Sequence, residues 1–279
     1  MTTTLRPEGP ESPTAAGGRT RRWRILTNGH QVGALRTTAT PWGSQLWGEI
    51  SELEITEGLG RGRGTFGALA AEEVLRGWNC TRVDVKIPDT APTARALAAV
   101  LGYTERSLTL SKRLTAAPAL PPGVTARPFE EPGLRAWLDR STADYARSLV
   151  RSGLTEEQAR SRAVGGQQLP QGAATPGNLV SSLYGPDGGP EPCGSIWVDL
   201  HMTDLPGGEP LAWVMVVEVS PAHRGRGHGR TLMLLAEREC LAAGVRDLGL
   251  NVFADNEVAV RLYDSLGYQV VNRLYGKQL

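Results

Sequence analysis

The chain has 279 residues, room for one large or two modest domains. Its 40% hydrophobic and 21% charged residues are those of an ordinary globular protein with a core of its own, and a net charge of +1 excludes a global field that would favour nucleic acid or an anionic membrane. Three scattered cysteines without a CxxC pair, beside four histidines at no ligand spacing, exclude a disulfide framework and point away from a zinc site.

Residues 1–20 are rich in Pro, Thr and Gly and hold no apolar signal-peptide core, so they read as a disordered tail. No apolar run reaches the roughly 18 residues of a membrane span, and a soluble cytoplasmic protein is expected. Arg19, Arg21, Arg22 and Arg24 give residues 1–117 a net +4 against −3 for the remainder. Without an aromatic platform beside them, they read as a solvated face rather than a nucleic-acid arm.

Residues 23–27, 31–37 and 46–55 read as strands, 66–76 and 93–101 as helices, 83–87 as a strand between them and 107–114 as a closing strand. The segment 116–122, Pro-rich and uncharged, reads as a linker. Beyond it, 123–129 is a predicted strand, and 132–152 and 155–163 are predicted helices, the second opened by Thr155-Glu156-Glu157. Strands follow at 178–184 and 194–201, joined by the turn Gly185-Pro186-Asp187-Gly188-Gly189. Residues 211–220 form a nearly continuous apolar strand, as expected when both faces are covered. A glycine turn leads into a helix over 230–243, then a strand over 248–253. The helix over 257–266 has Asn256 as N-cap and Gly267 past its end, and 268–275 is the last strand. The order β-α-α-β-β-β-α-β-α-β predicts an α/β fold, a mixed twisted sheet with helices on both sides.

The two halves echo one another at an offset near 165 residues. Gly60-Arg61-Gly62-Arg63-Gly64-Thr65 answers Arg224-Gly225-Arg226-Gly227-His228-Gly229, and Leu101-Gly102-Tyr103 answers Leu266-Gly267-Tyr268. The expected domains are a smaller half domain over 21–115 and a full domain over 123–279.

The turn at 224–229 is physically an anion cradle. Closely spaced glycines let backbone N–H groups turn inward, the helix that starts there adds its positive end, and Arg224, Arg226 and Arg230 add charge. A diphosphate suits it, and the absence of Gly-Lys-Ser/Thr rules out a P-loop. At this point the chain resembles the GNAT superfamily of N-acetyltransferases. The family's pyrophosphate turn is matched by Arg224, Gly227 and Gly229 after Val217, Val219 and Pro221. Its second signature is matched by Asn256, Ala259, Tyr263, Gly267 and Tyr268.

The resemblance implies acetyl-CoA as co-substrate, with no metal, and transfer to a primary amine of a small molecule within a ternary complex. The coenzyme would be held by Val217, Val219, Arg224, Gly225, Arg226, Gly227, His228, Gly229, Arg230, Asn256 and Tyr263. The backbone N–H groups of Val217 and Val219 would form an oxyanion hole, and Tyr263 would protonate the departing thiolate. Many members carry a Glu where this chain has Trp213. Glu218, the one charge in its apolar strand, is the candidate base, with Asp199, His201 and Glu209 left open. A protein or peptide amine, or a non-catalytic acyl-CoA module, are the alternatives. Neither nucleic acid nor membrane is expected as a partner, and the state is a monomer or homodimer. In the first half, Gly62-Arg63-Gly64-Thr65-Phe66-Gly67 with Asp84 also fits a dinucleotide fingerprint. The repeat favours a degenerate, truncated GNAT-like domain instead. Ala91 stands where Asn256 is, Ala98 where Tyr263 is, and Leu59 or Gly60 where Arg224 is, which leaves a structural role, with residual coenzyme binding by Gly62 and Gly64 open.

Overall fold

The computed structural model describes residues 3–57, 62–165, 177–186, 189, 191–204 and 210–279. In chain order the first elements are β1 (Thr3–Pro7), β2 (Ser12–Pro13), β3 (Arg19–Thr27), β4 (His30–Trp42), β5 (Gln45–Ile55), α1 (Arg63–Gly77), β6 (Cys80–Pro88), α2 (Pro92–Val100) and β7 (Thr104–Arg113). There follow β8 (Thr125–Pro128), α3 (Glu131–Arg151), α4 (Glu156–Gly165), β9 (Asn178–Tyr184), β10 (Gly194–Asp204), β11 (Pro210–Val219), α5 (His228–Ala242), β12 (Asp247–Phe253), α6 (Glu257–Ser265) and β13 (Gln269–Gln278).

Each predicted helix and strand forms. One expectation fails: residues 1–20 hold β1 and β2 rather than a disordered tail. Strand β1 pairs antiparallel with β3 along its whole length, Thr3 opposite Thr27 and Pro7 opposite Trp23. The first half therefore opens with a strand of its own.

The chain divides into two compact units, and neither is a contiguous span. One comprises Met1–Ser107, Ser152–Gly165 and Asn272–Leu279; the other, Leu108–Arg151 and Gly166–Val271. This differs from a division at 116–122. In the first unit the strands lie in the order β1-β3-β4-β5-β6-β13, with β5 and β6 parallel and β6 and β13 antiparallel. In the second the order is β8-β9-β10-β11-β12-β7, with β11 and β12 parallel.

Each repeat thus gives its closing strand to the other unit. Two ion pairs record the exchange. Lys277 on β13 meets Glu72 on α1 at 2.8 Å, and Lys112 on β7 meets Glu237 on α5 at 2.7 Å. Both glutamates are buried, and each lysine also lies 5.5 Å from a tyrosine ring, Tyr103 or Tyr268. Glu72 and Glu237, Tyr103 and Tyr268, Lys112 and Lys277 are the same positions of the repeat. Helix α4 belongs likewise to the first unit. Gln158 donates to Gln45 at 2.8 Å, and the Arg162 guanidinium lies over the Trp42 and Trp47 rings.

In the second unit, helices cover both sheet faces. Leu232, Leu235, Ala236 and Cys240 of α5, at helical spacing, pack on Val214, Leu248 and Leu250. Leu134, Trp137 and Leu138 of α3 pack against Val180 and Trp197 from the other side. The apolar run of β11 is long because it lies between these two layers.

Candidate active site

The candidate site lies in the second unit, where β11 and β12 part. Their parallel pairing runs from Leu211 opposite Asp247 to Val214 opposite Leu250. Beyond that β11 continues to Val219 without β12. Its register against β10 slips at the same place: Val214 faces Val198 and Val216 faces Trp197, so Met215 is an extra residue. Such a bulge bends its strand and adds local twist, which accounts for the parting. Met215 and Val216 consequently both pack toward α3, while Val217 and Val219 pack with the α5 core.

Ser220 donates its backbone N–H to the Cys193 carbonyl at 2.9 Å. Backbone groups alternate edges along a strand, so the N–H groups of Val217 and Val219 face the opposite edge, into the gap. Arg224 Nε reaches back to the Val219 carbonyl at 3.4 Å.

After a short 3-10 turn over Pro221–His223, Gly225 (φ 76°) and Gly227 (φ 85°) take left-handed backbone that an L side chain would strain. Gly227 is the N-cap of α5 and supplies no side-chain cap. The first-turn N–H groups of the helix are left for a ligand or water. A Cβ at Gly229 would lie 3.2 Å from Leu262, so α5 and α6 approach closely here. Arg230 ties them together by donating to Ser265 Oγ at 2.6 Å.

Asn256 caps α6, its Oδ1 accepting from the Ala259 N–H at 3.2 Å. Two turns on, Tyr263 is buried, its ring edge-on to Tyr268 at 6.0 Å, and burial pushes its phenol up to about 12. Glu218 points to the α3 side, where the Trp137 indole N–H donates to its carboxylate at 3.2 Å. Trp137, 2% exposed and stacked on Phe129, was not singled out from sequence. Its signal was only a tryptophan on a helical apolar stripe.

The other base candidates sit elsewhere. Asp199 accepts from the His201 backbone N–H and lies opposite Trp213, whose ring fills the space a side chain at Gly249 would need. Glu209 lies outside the described residues. Among the described residues no group of three or more His, Cys, Asp or Glu could hold a metal, and no helix is long and apolar enough to cross a membrane.

The first unit keeps the geometry without the side chains. Pairing of β5 with β6 likewise stops, at Glu49 opposite Asp84, while β5 runs on to Ile55, and α1 starts from left-handed Gly62 (φ 72°). Ala91, however, gives α2 no side-chain cap, and the buried Ala98 stands where Tyr263 does. Leu59 and Gly60 lie outside the described residues.

The sequence profile of the Acetyltransferase (GNAT) family matches residues 178–268. A mycothiol acetyltransferase of Thermobispora bispora is 34% identical over 78% of this chain and 71% of its own length. One of Thermomonospora curvata is 30% identical over 91% of this chain and 81% of its own length. Two solved structures share the fold: a GCN5-related N-acetyltransferase from Sphaerobacter thermophilus (22% identity, TM-score 0.57, 92% of this chain and 80% of that one) and a tandem GNAT protein from the clavulanic acid biosynthesis pathway (19%, TM-score 0.50, 96% and 84%). With the turn, the parted strands and the capped tyrosine helix in one unit, and relatives matched over most of their length, the chain belongs to the GNAT acetyltransferase family.

Proposed function

We propose that the protein transfers an acetyl group from acetyl-CoA directly to a primary amine of a small molecule. The observation that carries this reading is the open edge of β11, with the N–H groups of Val217 and Val219 directed into the gap beside the uncapped start of α5. The coenzyme diphosphate would take the α5 N–H groups, with Arg224, Arg226 and Arg230 supplying countercharge. Its thioester would lie along the open edge.

The amine lone pair then attacks the thioester carbonyl carbon. Charge gathers on the carbonyl oxygen, where the fixed N–H donors of Val217 and Val219 stabilise it. The carbon–sulfur bond breaks and the sulfur takes the Tyr263 proton, which the raised phenol pKa keeps in place until that moment. The nitrogen loses its proton to Glu218, held in orientation by Trp137, directly or through one water. Mycothiol acetyltransferase as the name of both relatives supports a small molecule rather than a protein as acceptor.

Trp213, where a carboxylate is common, favours a second reading, a non-catalytic acyl-CoA module. Release of free coenzyme A across an amine panel separates the two. Turnover that falls about 100-fold or more in Tyr263→Phe supports transfer. Tight acetyl-CoA binding without turnover for any amine supports the module.

A further inference from the structure

The face of the first unit's sheet turned away from α1 gathers more positive charge than it pairs. Gly48 lies against Leu75 of α1, and Val83 sits in the same core, so Trp47 and Arg82, their neighbours in sequence, point to the other side. Arg82 is 2% exposed and Trp47 5%. Arg82 Nε donates to Asp84 at 2.7 Å, and its guanidinium lies 5.4 Å from the Trp47 ring. The Arg162 guanidinium of α4 lies 5.1 Å from the same ring. Two glycines make room on this face. A Cβ at Gly276 would overlap the Arg82 guanidinium, and one at Gly153 the Arg106 guanidinium. Gln278, opposite Arg82 in the β6–β13 register, links the two seats by donating to the Gly153 carbonyl at 3.3 Å.

Among the described residues these three guanidiniums share one ion pair, Arg82–Asp84. Arg82 Nη1, Arg106 Nε and the Trp47 indole N–H are shielded from solvent without a hydrogen-bond partner there. Burial and then Arg82 hold the Arg106 guanidinium below its ordinary pKa. Glu49 does not answer the imbalance, since burial and then Asp84 push its carboxyl up. A buried donor without an acceptor is costly, more so when it is charged. Orphaned donors of this kind, two of them on guanidiniums, are the chemistry that recognises an oxyanion.

We propose that the α4 face of the first unit binds a small oxyanion, the carboxylate of a metabolite or free phosphate, between Arg82, Arg106 and the Trp47 indole. The site uses no residue of the coenzyme cradle and does not depend on the acetyl-CoA reading. It gives the first unit a ligand of its own, on the face opposite the helix that follows its glycine turn.

Thermal melting of the full chain, titrated with sodium phosphate or sodium malonate at ionic strength held constant with sodium chloride, tests this. A saturable rise of about 3 °C is expected at tenfold excess over the dissociation constant, and the anion with the higher affinity identifies the source, phosphate or carboxylate. Arg106→Met removes unmatched charge, and the rise should be lost. Trp47→Phe keeps the ring between its arginines but removes the indole donor, and should weaken the anion about tenfold; it stands as the test if Arg106→Met does not fold. A rise that keeps its wild-type midpoint in either folded variant places the anion elsewhere, the coenzyme cradle included, and overturns the proposal. Absence of a saturable rise with both anions in the wild type overturns it as well, and leaves the acetyl-CoA reading untouched.

Discussion

Glu218 and Tyr263 owe their expected roles to different environments. Glu218 is half-buried on the α3 side and accepts from the Trp137 indole. Trp137→Phe keeps the packing of a large ring but removes the donor. Turnover is expected to fall about tenfold, because the carboxylate is no longer held in orientation toward the reacting nitrogen. Wild-type turnover in a folded Trp137→Phe would assign the base elsewhere, and Glu218→Gln should then keep wild-type turnover. Tyr263 makes a prediction about pH. Burial raises its phenol from 10.0 to about 12, so the folded state favours the neutral form. Its contribution to stability is full below pH 10.0 and is lost as pH climbs toward 12. Alkaline melting curves of Tyr263→Phe should therefore decline less steeply across that window than those of the wild type.

At the level of elements, the starts of α5 and α6 were legible because their chemistry is local. Asn256 caps α6 three residues before Ala259, and Gly227 starts α5 from a conformation that few other residues adopt. Gly227→Val should cost on the order of 1–3 kcal/mol and push a branched side chain toward the cradle. Titration calorimetry should then find acetyl-CoA binding lost, whereas Gly62→Val in the first unit should leave it within about twofold. Strand β1 was not legible for the converse reason. Only Leu5 of its five residues packs on the core, so no alternation marks it, and its order comes from pairing with β3, whose sequence lies more than ten residues away. The bulge at Met215 was equally hidden, being a relation between two strands rather than a property of one. Helix α4 carries only a short apolar stripe, Ala159 and Ala163, and a buried glutamine and an arginine over two tryptophans complete its seat.

Across the whole molecule, the repeat was plain in the sequence but its exchange of strands was not. Nothing in residues 104–113 says whether that strand will complete its own repeat or the other, because either partner sheet offers the same environment. The reciprocal pairs Lys112–Glu237 and Lys277–Glu72 show the outcome. Removing one partner of such a pair leaves a buried charge. With the lysine about a quarter exposed, Lys112→Ala should cost on the order of 2–3 kcal/mol, more than the double variant Lys112→Met with Glu237→Leu. A larger consequence follows for the division of the chain. A fragment spanning 116–279 carries the glycine turn, Tyr263 and Glu218, yet it lacks the strand that borders β12 and supplies Leu108, Leu110 and Lys112 to the core around α5. It also ends in a strand, residues 272–278, whose partner β6 is missing. Expressed alone, it is expected to be insoluble, or to pair its orphan strand with a second copy and run as a dimer in light scattering. Co-expression with residues 1–115 should restore a stoichiometric complex that binds acetyl-CoA. A monomeric 116–279 fragment with the melting temperature and coenzyme affinity of the intact chain would mean that the exchanged strands are dispensable.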